Sequence, residues 1–118
     1  MNVIHSIEHD SRRVFSANIP NNGAVRNLPW ESVLEMPAAA TAKGLLPLQL
    51  HDFPDNLAAI ISRHIEIVET AVDSALNGDR KLFIEAILMG GYITDRGTVE
   101  KMVDELIETQ AKYLPQFS

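Results

Sequence analysis

The sequence predicts an α+β fold, with a small antiparallel sheet of about three strands in the first half packed against three helices in the second. Three observations point to it. Short β-type runs bounded by proline and glycine turns precede Pro54. From Pro54 onward the apolar residues recur every three or four positions. Gly78 and Gly90-Gly91 then break that helical half where left-handed end residues belong.

In chain order, Val3 to His9 reads as the last turns of a helix, at a terminus that is expected to fray. Arg13 to Ile19 is a β-type run stopped by Pro20-Asn21-Asn22-Gly23, because proline fixes φ and Asn-Gly tolerates the positive φ of tight turns. Ser32 to Met36 forms a second strand, with Pro37 expected to end it. Leu45 to Leu50 is the third extended segment, and Pro47 within it marks an edge strand. The first long helix carries a stripe that includes Leu57, Ile60, His64, Val68, Val72 and Leu76, with Asp52 or Asp55 as its cap and Gly78 at its end. Asp79 caps a second helix over Arg80 to Met89. A third runs from Thr98 to Leu114, with Val99, Met102, Val103, Leu106 and Tyr113 on the apolar face and Pro115 as the stop.

A chain of 118 residues with 46% hydrophobic and 22% charged positions is one ordinary globular domain, residues 1–118. No cysteine is present, which removes disulfides, thiolate metal sites and a cysteine nucleophile, and fits a reducing compartment. A net charge of −6, with the ten Lys and Arg scattered, argues against nucleic acid and anionic lipid as partners. No apolar run reaches the ~18 residues of a membrane span, and the start lacks the basic and apolar regions of a signal peptide. A soluble cytoplasmic protein is expected.

Several motifs are weighed against plainer roles. His5-Ser6-Ile7-Glu8-His9 matches H-x-x-E-H, a zinc-hydrolase pattern, but its place at the chain start favours polar residues on a terminal helix. His64 reads as a hydrogen-bonded core residue, and His51-Asp52 as a helix entry rather than a dyad. Gly90-Gly91 is followed by no helix that offers its N-terminus to a phosphate. Trp30 suits packing beside a loop more than stacking on a sugar. The loop from Asn18 to Pro29 is the richest in binding chemistry. Asn21, Asn22 and Asn27 both donate and accept, Arg26 adds a fork of donors, and Gly23 allows close approach, all of which suits a neutral polyol. The plainer alternative is that the asparagines satisfy their own turn.

The same stretch carries a family resemblance. Asn18-x-x-Asn21-Asn22-Gly23-x-Val25-x-Asn27-Leu28-Pro29, followed by Ser32-Val33-Leu34-Glu35-Met36-Pro37, resembles the signature that opens the C-terminal region of family 4 glycoside hydrolases. Lys43-Gly44-Leu45-Leu46-Pro47-Leu48, Phe53-Pro54-x-x-Leu57-Ala58 and Glu69-x-x-Val72-x-x-Ala75-x-x-Gly78-Asp79-Arg80 resemble later segments in the same order. The tail Tyr113-Leu114-Pro115-Gln116-Phe117 is similar to the family's ending, and the α-galactosidase, α-glucosidase and α-galacturonidase branches resemble it most. Met89-Gly90-Gly91-Tyr92-Ile93-Thr94 departs from the usual pattern at a helix junction.

The resemblance implies the C-terminal domain of a lactate-dehydrogenase-like glycosidase. In that family NAD oxidises the sugar at C3, a tyrosine removes the C2 proton, and manganese held by a Cys and a His stabilises the enediolate. This chain has no Cys, and Tyr92 and Tyr113 do not match the base. The N-terminal dinucleotide-binding domain is therefore expected to lie outside it. No catalytic, cofactor or metal residue is assigned, and no cofactor is expected to bind this chain alone. What the resemblance leaves is a sugar-facing wall at Asn21, Asn22, Gly23, Arg26 and Asn27. The expected partners are a second copy, as a homodimer or larger homo-oligomer, or a separate chain bearing the dinucleotide half. The chain reads as a separately encoded remnant or a fragment of a longer enzyme, with Met1 favouring a natural frame. The alternative is a non-catalytic dimerisation or partner-binding module.

Overall fold

The computed structural model describes residues 2–117. Its elements in order are α1 (Val3–Glu8), β1 (Val14–Pro20), β2 (Val33–Thr41), β3 (Gly44–Pro47), α2 (Asp55–Asn77), α3 (Arg80–Gly90), α4 (Arg96–Gln110) and a 3₁₀ turn at Pro115–Phe117. The chain divides into two compact units, Met1–Ser62 and Arg63–Ser118.

In the first unit the strands form one antiparallel sheet in the order β1-β2-β3. Val14 pairs with Ala39 and Pro20 with Val33 on one side of β2, and Ala38 pairs with Pro47 and Thr41 with Gly44 on the other. Successive side chains of a strand point to opposite faces, so Met36, Ala38 and Ala40 share one, and all three are buried. Helix α1 packs against β2, and the short side chains of Ala38 and Ala40 keep the strand thin.

Helix α1, expected to fray, has contacts at both ends. Asn2 accepts a hydrogen bond from the Ile4 N–H, Ser11 N–H returns to the Ser6 carbonyl, and Arg12 N–H bonds the Ala40 carbonyl of the sheet. Asp10, in the left-handed region at φ 45°, accepts from the Ala42 N–H and pairs with Arg12. Both sides of the turn are thus tied down.

Pro37 does not end β2, which runs on to Thr41 as the central strand. In an antiparallel ladder the N–H and C=O of one residue face the same neighbour. The Pro37 carbonyl accepts from Leu48 N–H, just beyond the end of β3. Its missing N–H therefore faces past the paired part of the sheet and interrupts no bond. β3 is shorter than expected and lies at the edge, as Pro47 requires. Leu50 leaves the sheet and bridges Val25 instead, donating to the Ala24 carbonyl.

Helix α2 begins within the first unit and continues into the second. Its boundaries match the periodicity, and Gly78 ends it at φ 66°, where a side chain would strike the Gln116 carbonyl. The stripe, however, does not face a core. Ile60 is 58% exposed and Leu76 75%, with Leu57, Val68 and Val72 also exposed. His64 is exposed too, so it is not a core histidine. Neither Asp52 nor Asp55 caps the helix; Asp55 is its first residue and accepts from Asn27 instead.

In the second unit α3 and α4 pack through Ile84, Val99 and Val103, with Phe83, Ile87, Leu88, Ile93 and Ile107 around them. Asp79 caps α3 by accepting from Lys81 and Leu82 N–H, and Gly91 closes it in the left-handed region. Asp95 caps α4, which starts before the expected Thr98 and ends at Gln110. Leu106 and Tyr113 are exposed, so the apolar face stops short of the expected tail. Among the described residues no helix is long and apolar enough to cross a membrane.

Candidate functional site

The loop between β1 and β2 is organised from inside by Asn21. Its backbone N–H bonds the Ser32 carbonyl at 2.8 Å, and its carbonyl accepts from Ala24 N–H at 2.8 Å, so the turn closes where β1 stops. Its side chain is fully buried. Nδ2 donates toward the carbonyls of Val25 (3.0 Å), Leu28 (3.2 Å) and Pro29 (3.0 Å), and Oδ1 accepts from Val25 N–H at 2.8 Å. A buried amide must find partners or cost about 1–3 kcal/mol per unsatisfied group, and this one is saturated. Asn21, expected to contact sugar, is corrected to a residue that shapes the loop from beneath.

Asn22 and Gly23 follow with φ of 46° and 80°, consecutive left-handed residues of the kind that asparagine and glycine tolerate. Asn22 N–H bonds the Trp30 carbonyl at 3.0 Å. A Cβ on Gly23 would sit 2.6 Å from Cζ3 of Trp30, so the indole lies directly on the glycine backbone. Gly23 therefore gives up its expected role as an open approach for a ligand and serves as the seat of Trp30. The packing expected of Trp30 is present, since its ring lies on Gly23, and the residue is still 61% exposed.

Asn27 reaches the entry to α2, where Nδ2 donates to the Phe53 carbonyl at 2.9 Å and to Asp55 Oδ1 at 2.7 Å. Its donors are spent, while its Oδ1 has no partner among the described residues. The side chains of Asn22 and Arg26 are exposed and make no hydrogen bond or ion pair there. Of the expected wall, then, the side chains of Asn22 and Arg26 are exposed and unbonded, and Asn27 keeps only its Oδ1 unbonded, among the described residues. What the sequence did not show for Trp30 is its packing partner, Gly23. The one available signal was its spacing, seven residues past the glycine on which it folds back. Under the loop, Val25, Leu28, Leu34, Met36 and Phe53 help line an apolar cleft of about 200 Å³.

The groups with shifted pKa values lie in exposed ion pairs and caps. Arg12 and the Ala42 N–H hold Asp10 low, Thr98 holds Asp95 low, and Arg80 holds Asp104 low. The matching arginines, Arg12, Arg80 and Arg96, are held high by Asp10, Asp104 and Glu85.

The residues present do not fit a dinucleotide. That fold places the pyrophosphate at a free helix N-terminus after a parallel strand. Here the sheet is antiparallel, and the caps Asp79 and Asp95 already occupy the first N–H groups of α3 and α4. The Cys-and-His manganese site does not fit either, because the sequence has no Cys. Among the described residues, one group of possible metal ligands comes together, His5, Glu8 and His9 on α1, with ligand atoms within 4.8 Å of one another.

Residues 1–90 match the sequence profile described as family 4 glycosyl hydrolase C-terminal domain. A probable 6-phospho-beta-glucosidase of Bacillus subtilis is 27% identical over 98% of this chain and 26% of its own length. An alpha-galactosidase of Rhizobium meliloti is 32% identical over 86% of this chain and 21% of its own. A 6-phospho-alpha-glucosidase from gut microorganisms, solved in complex with NAD and glucose-6-phosphate, superposes with a TM-score of 0.85 at 26% identity, covering 97% of this chain and 26% of that one. A 6-phospho-beta glucosidase of Thermotoga maritima, solved with manganese, NAD+ and glucose-6-phosphate, shares the fold with a TM-score of 0.84 at 22% identity, covering 95% of this chain and 28% of that one. The chain spans about a quarter of the length of these relatives. With profile, relatives and superposed backbones in agreement, the chain belongs to the C-terminal domain of the family 4 glycoside hydrolases.

Proposed function

We propose that this chain supplies the sugar-facing wall of an NAD- and manganese-dependent glycosidase whose dinucleotide- and metal-binding half is provided by polypeptide outside residues 1–118. The observation that carries the reading is the loop held open by buried Asn21, with Asn22, Arg26 and Trp30 exposed on it. A flat indole beside amide and guanidinium donors suits a sugar ring with its hydroxyls. The reading places the protein in the cytoplasm, in keeping with its cysteine-free sequence.

The test has two arms. The chain alone, given nitrophenyl glycosides with NAD, manganese and a reductant, is expected to release no nitrophenol. NAD-dependent turnover by the chain alone overturns the incomplete-site reading. Complemented by the dinucleotide-binding half of a relative, it is expected to hydrolyse. In that pairing Arg26→Ala and Trp30→Ala are each expected to raise KM about tenfold, the loss of one good contact. Unchanged kinetics in both variants remove the wall reading.

A second reading, a non-catalytic module for dimerisation or partner binding, draws support from the exposed apolar residues of α2. Contiguous apolar surface above a few hundred Å² is unusual on a monomer. We therefore propose a homodimer or larger homo-oligomer, with the separate dinucleotide-bearing chain as the other possible cover. Sedimentation at micromolar concentration checks this, and a monomer counts against self-association.

A further inference from the structure

We propose that His5, Glu8 and His9 form a surface site for a first-row divalent transition metal of the zinc class. The ligands are an imidazole nitrogen of each histidine and a carboxylate oxygen of Glu8, with water completing the shell.

The spacing i, i+3, i+4 sets the three side chains on one face of α1, and their ligand atoms lie within 4.8 Å of one another. Zinc bonds of about 2.0–2.2 Å to nitrogen and oxygen require those atoms to be about 3.5 Å apart. All three side chains are exposed, which leaves His5 and Glu8 room to turn toward a common ion. The two imidazole rings already lie with centroids 4.0 Å apart.

A second, independent observation concerns the tautomer. His9 Nδ1 lies 2.9 Å from the His5 carbonyl oxygen. A carbonyl only accepts, so Nδ1 carries the hydrogen and Nε2 of the neutral ring keeps its lone pair for a metal. A ligating histidine almost always makes such a bond through its other nitrogen, which fixes the ring's orientation. Glu8 makes no hydrogen bond or ion pair among the described residues, so its carboxylate is not spent elsewhere.

Contacts hold both ends of the short helix. Asn2 caps the start, and the Asp10–Arg12 turn fastens the other end to Ala40 and Ala42. Ser6 is fully buried on the helix, which fixes which face α1 turns outward. The ligand set differs from the family's Cys-containing manganese site. Two imidazoles favour zinc, nickel or copper, whereas manganese favours oxygen ligands.

The test is titration of the untagged full chain with Zn2+ by equilibrium dialysis at neutral pH. One equivalent is expected to bind, with His5→Gln and His9→Gln each weakening it by about tenfold or more, on the scale seen for lost metal-site contacts. His51→Gln and His64→Gln are expected to leave it unchanged. Nitrogen-15 spectra of the wild-type imidazoles give a readout that needs no variant to fold, and Zn2+ should shift His5 and His9 but not His51 or His64. Mn2+ should bind more weakly than Zn2+. No binding below millimolar Zn2+, shifts confined to His51 or His64, or tighter binding of Mn2+ than of Zn2+ overturns the proposal.

Discussion

Between Pro20 and Ser32 one buried side chain, Asn21, makes four hydrogen bonds to the backbone of its own loop, at Val25, Leu28 and Pro29. In the second unit α3 and α4 meet through several apolar residues and secure their edges with Arg80–Asp104, Arg96–Glu85 and Arg96–Glu100. Order in the first region leans most on a single buried group, beside backbone bonds such as Asn22 N–H to the Trp30 carbonyl, whereas order in the second is spread over many weak ones. A loop that must hold exposed side chains in fixed places gains from the first arrangement, because its interior then specifies one backbone. A helix pair that serves as scaffold gains from the second, since no single change removes it. The way to break this contrast is to strike each region at its own kind of support.

The largest effect is expected from Asn21→Ala. The carbonyls of Val25 and Pro29 keep other donors, from Leu28 N–H and from Ser32. The Val25 N–H and the Leu28 carbonyl lose their partner, and two buried orphans at about 1–3 kcal/mol each give a loss of about 2–6 kcal/mol. Denaturant unfolding measures the loss, and hydrogen exchange locates it. The amides of Val25 and its neighbours should open while those of α3 and α4 keep their protection. Equal loss in the helices would show that the two regions are not independently supported.

The same contrast explains what the sequence discloses. Helices α2 and α3 end at glycines with positive φ, and Asp79 caps α3 by direct bonds, so local chemistry alone places those boundaries. The stripe on α2 was legible as a helix but not as a surface. Periodicity reports that Leu57, Val68 and Val72 share a side, and it is silent on whether anything lies opposite them. Pro37 was misleading for a related reason. A proline ends a strand only if its missing N–H faces a partner, and the partner's length is not written in the residues around it. Within the loop, Asn21, Asn22 and Asn27 look alike in sequence. Burial separates them, leaving the first inside, the third tied to α2 and only the second free. Trp30 was legible as a packing residue but its partner was not, because the contact with Gly23 depends on the turn between them.

A smaller effect is expected in the second unit from Asp79→Ala. The substitution frees the Lys81 and Leu82 N–H groups at the start of α3, and loss of such a cap costs about 1 kcal/mol. Because Ile84 packs against Val99 and Val103 in the next turn, unfolding should remain cooperative, with exchange rising at the first turn alone. Asp79→Asn keeps the acceptor and should recover most of the loss. A drop as large as that of Asn21→Ala would contradict the distributed support of this unit.

The smallest effect sharpens the comparison through pH. Asp95 is held below the ordinary carboxylate value by its bonds to Thr98, and Asp104 by Arg80. A folded-state pKa below the unfolded one means that the folded chain binds fewer protons. The stabilisation is therefore complete above the unfolded value of about 3.9 and fades as pH falls through the folded values. Melting temperatures should stay level from neutral pH down to about 5 and fall below about 4. Half-molar salt should weaken the Arg80–Asp104 share by screening, while the Asp95 share, a hydrogen bond to a helix N–H, should persist. The Asn21 amide does not titrate. After correction for intrinsic exchange rates, the protection of Ala24 and Val25 should hold as the pH falls, while the first turn of α4 loses its own. Asp10 supplies a control within the first unit, because its pKa is lowered too, and the end of α1 should loosen over the same range. If the loop opens before α4 does, something other than the Asn21 amide carries it.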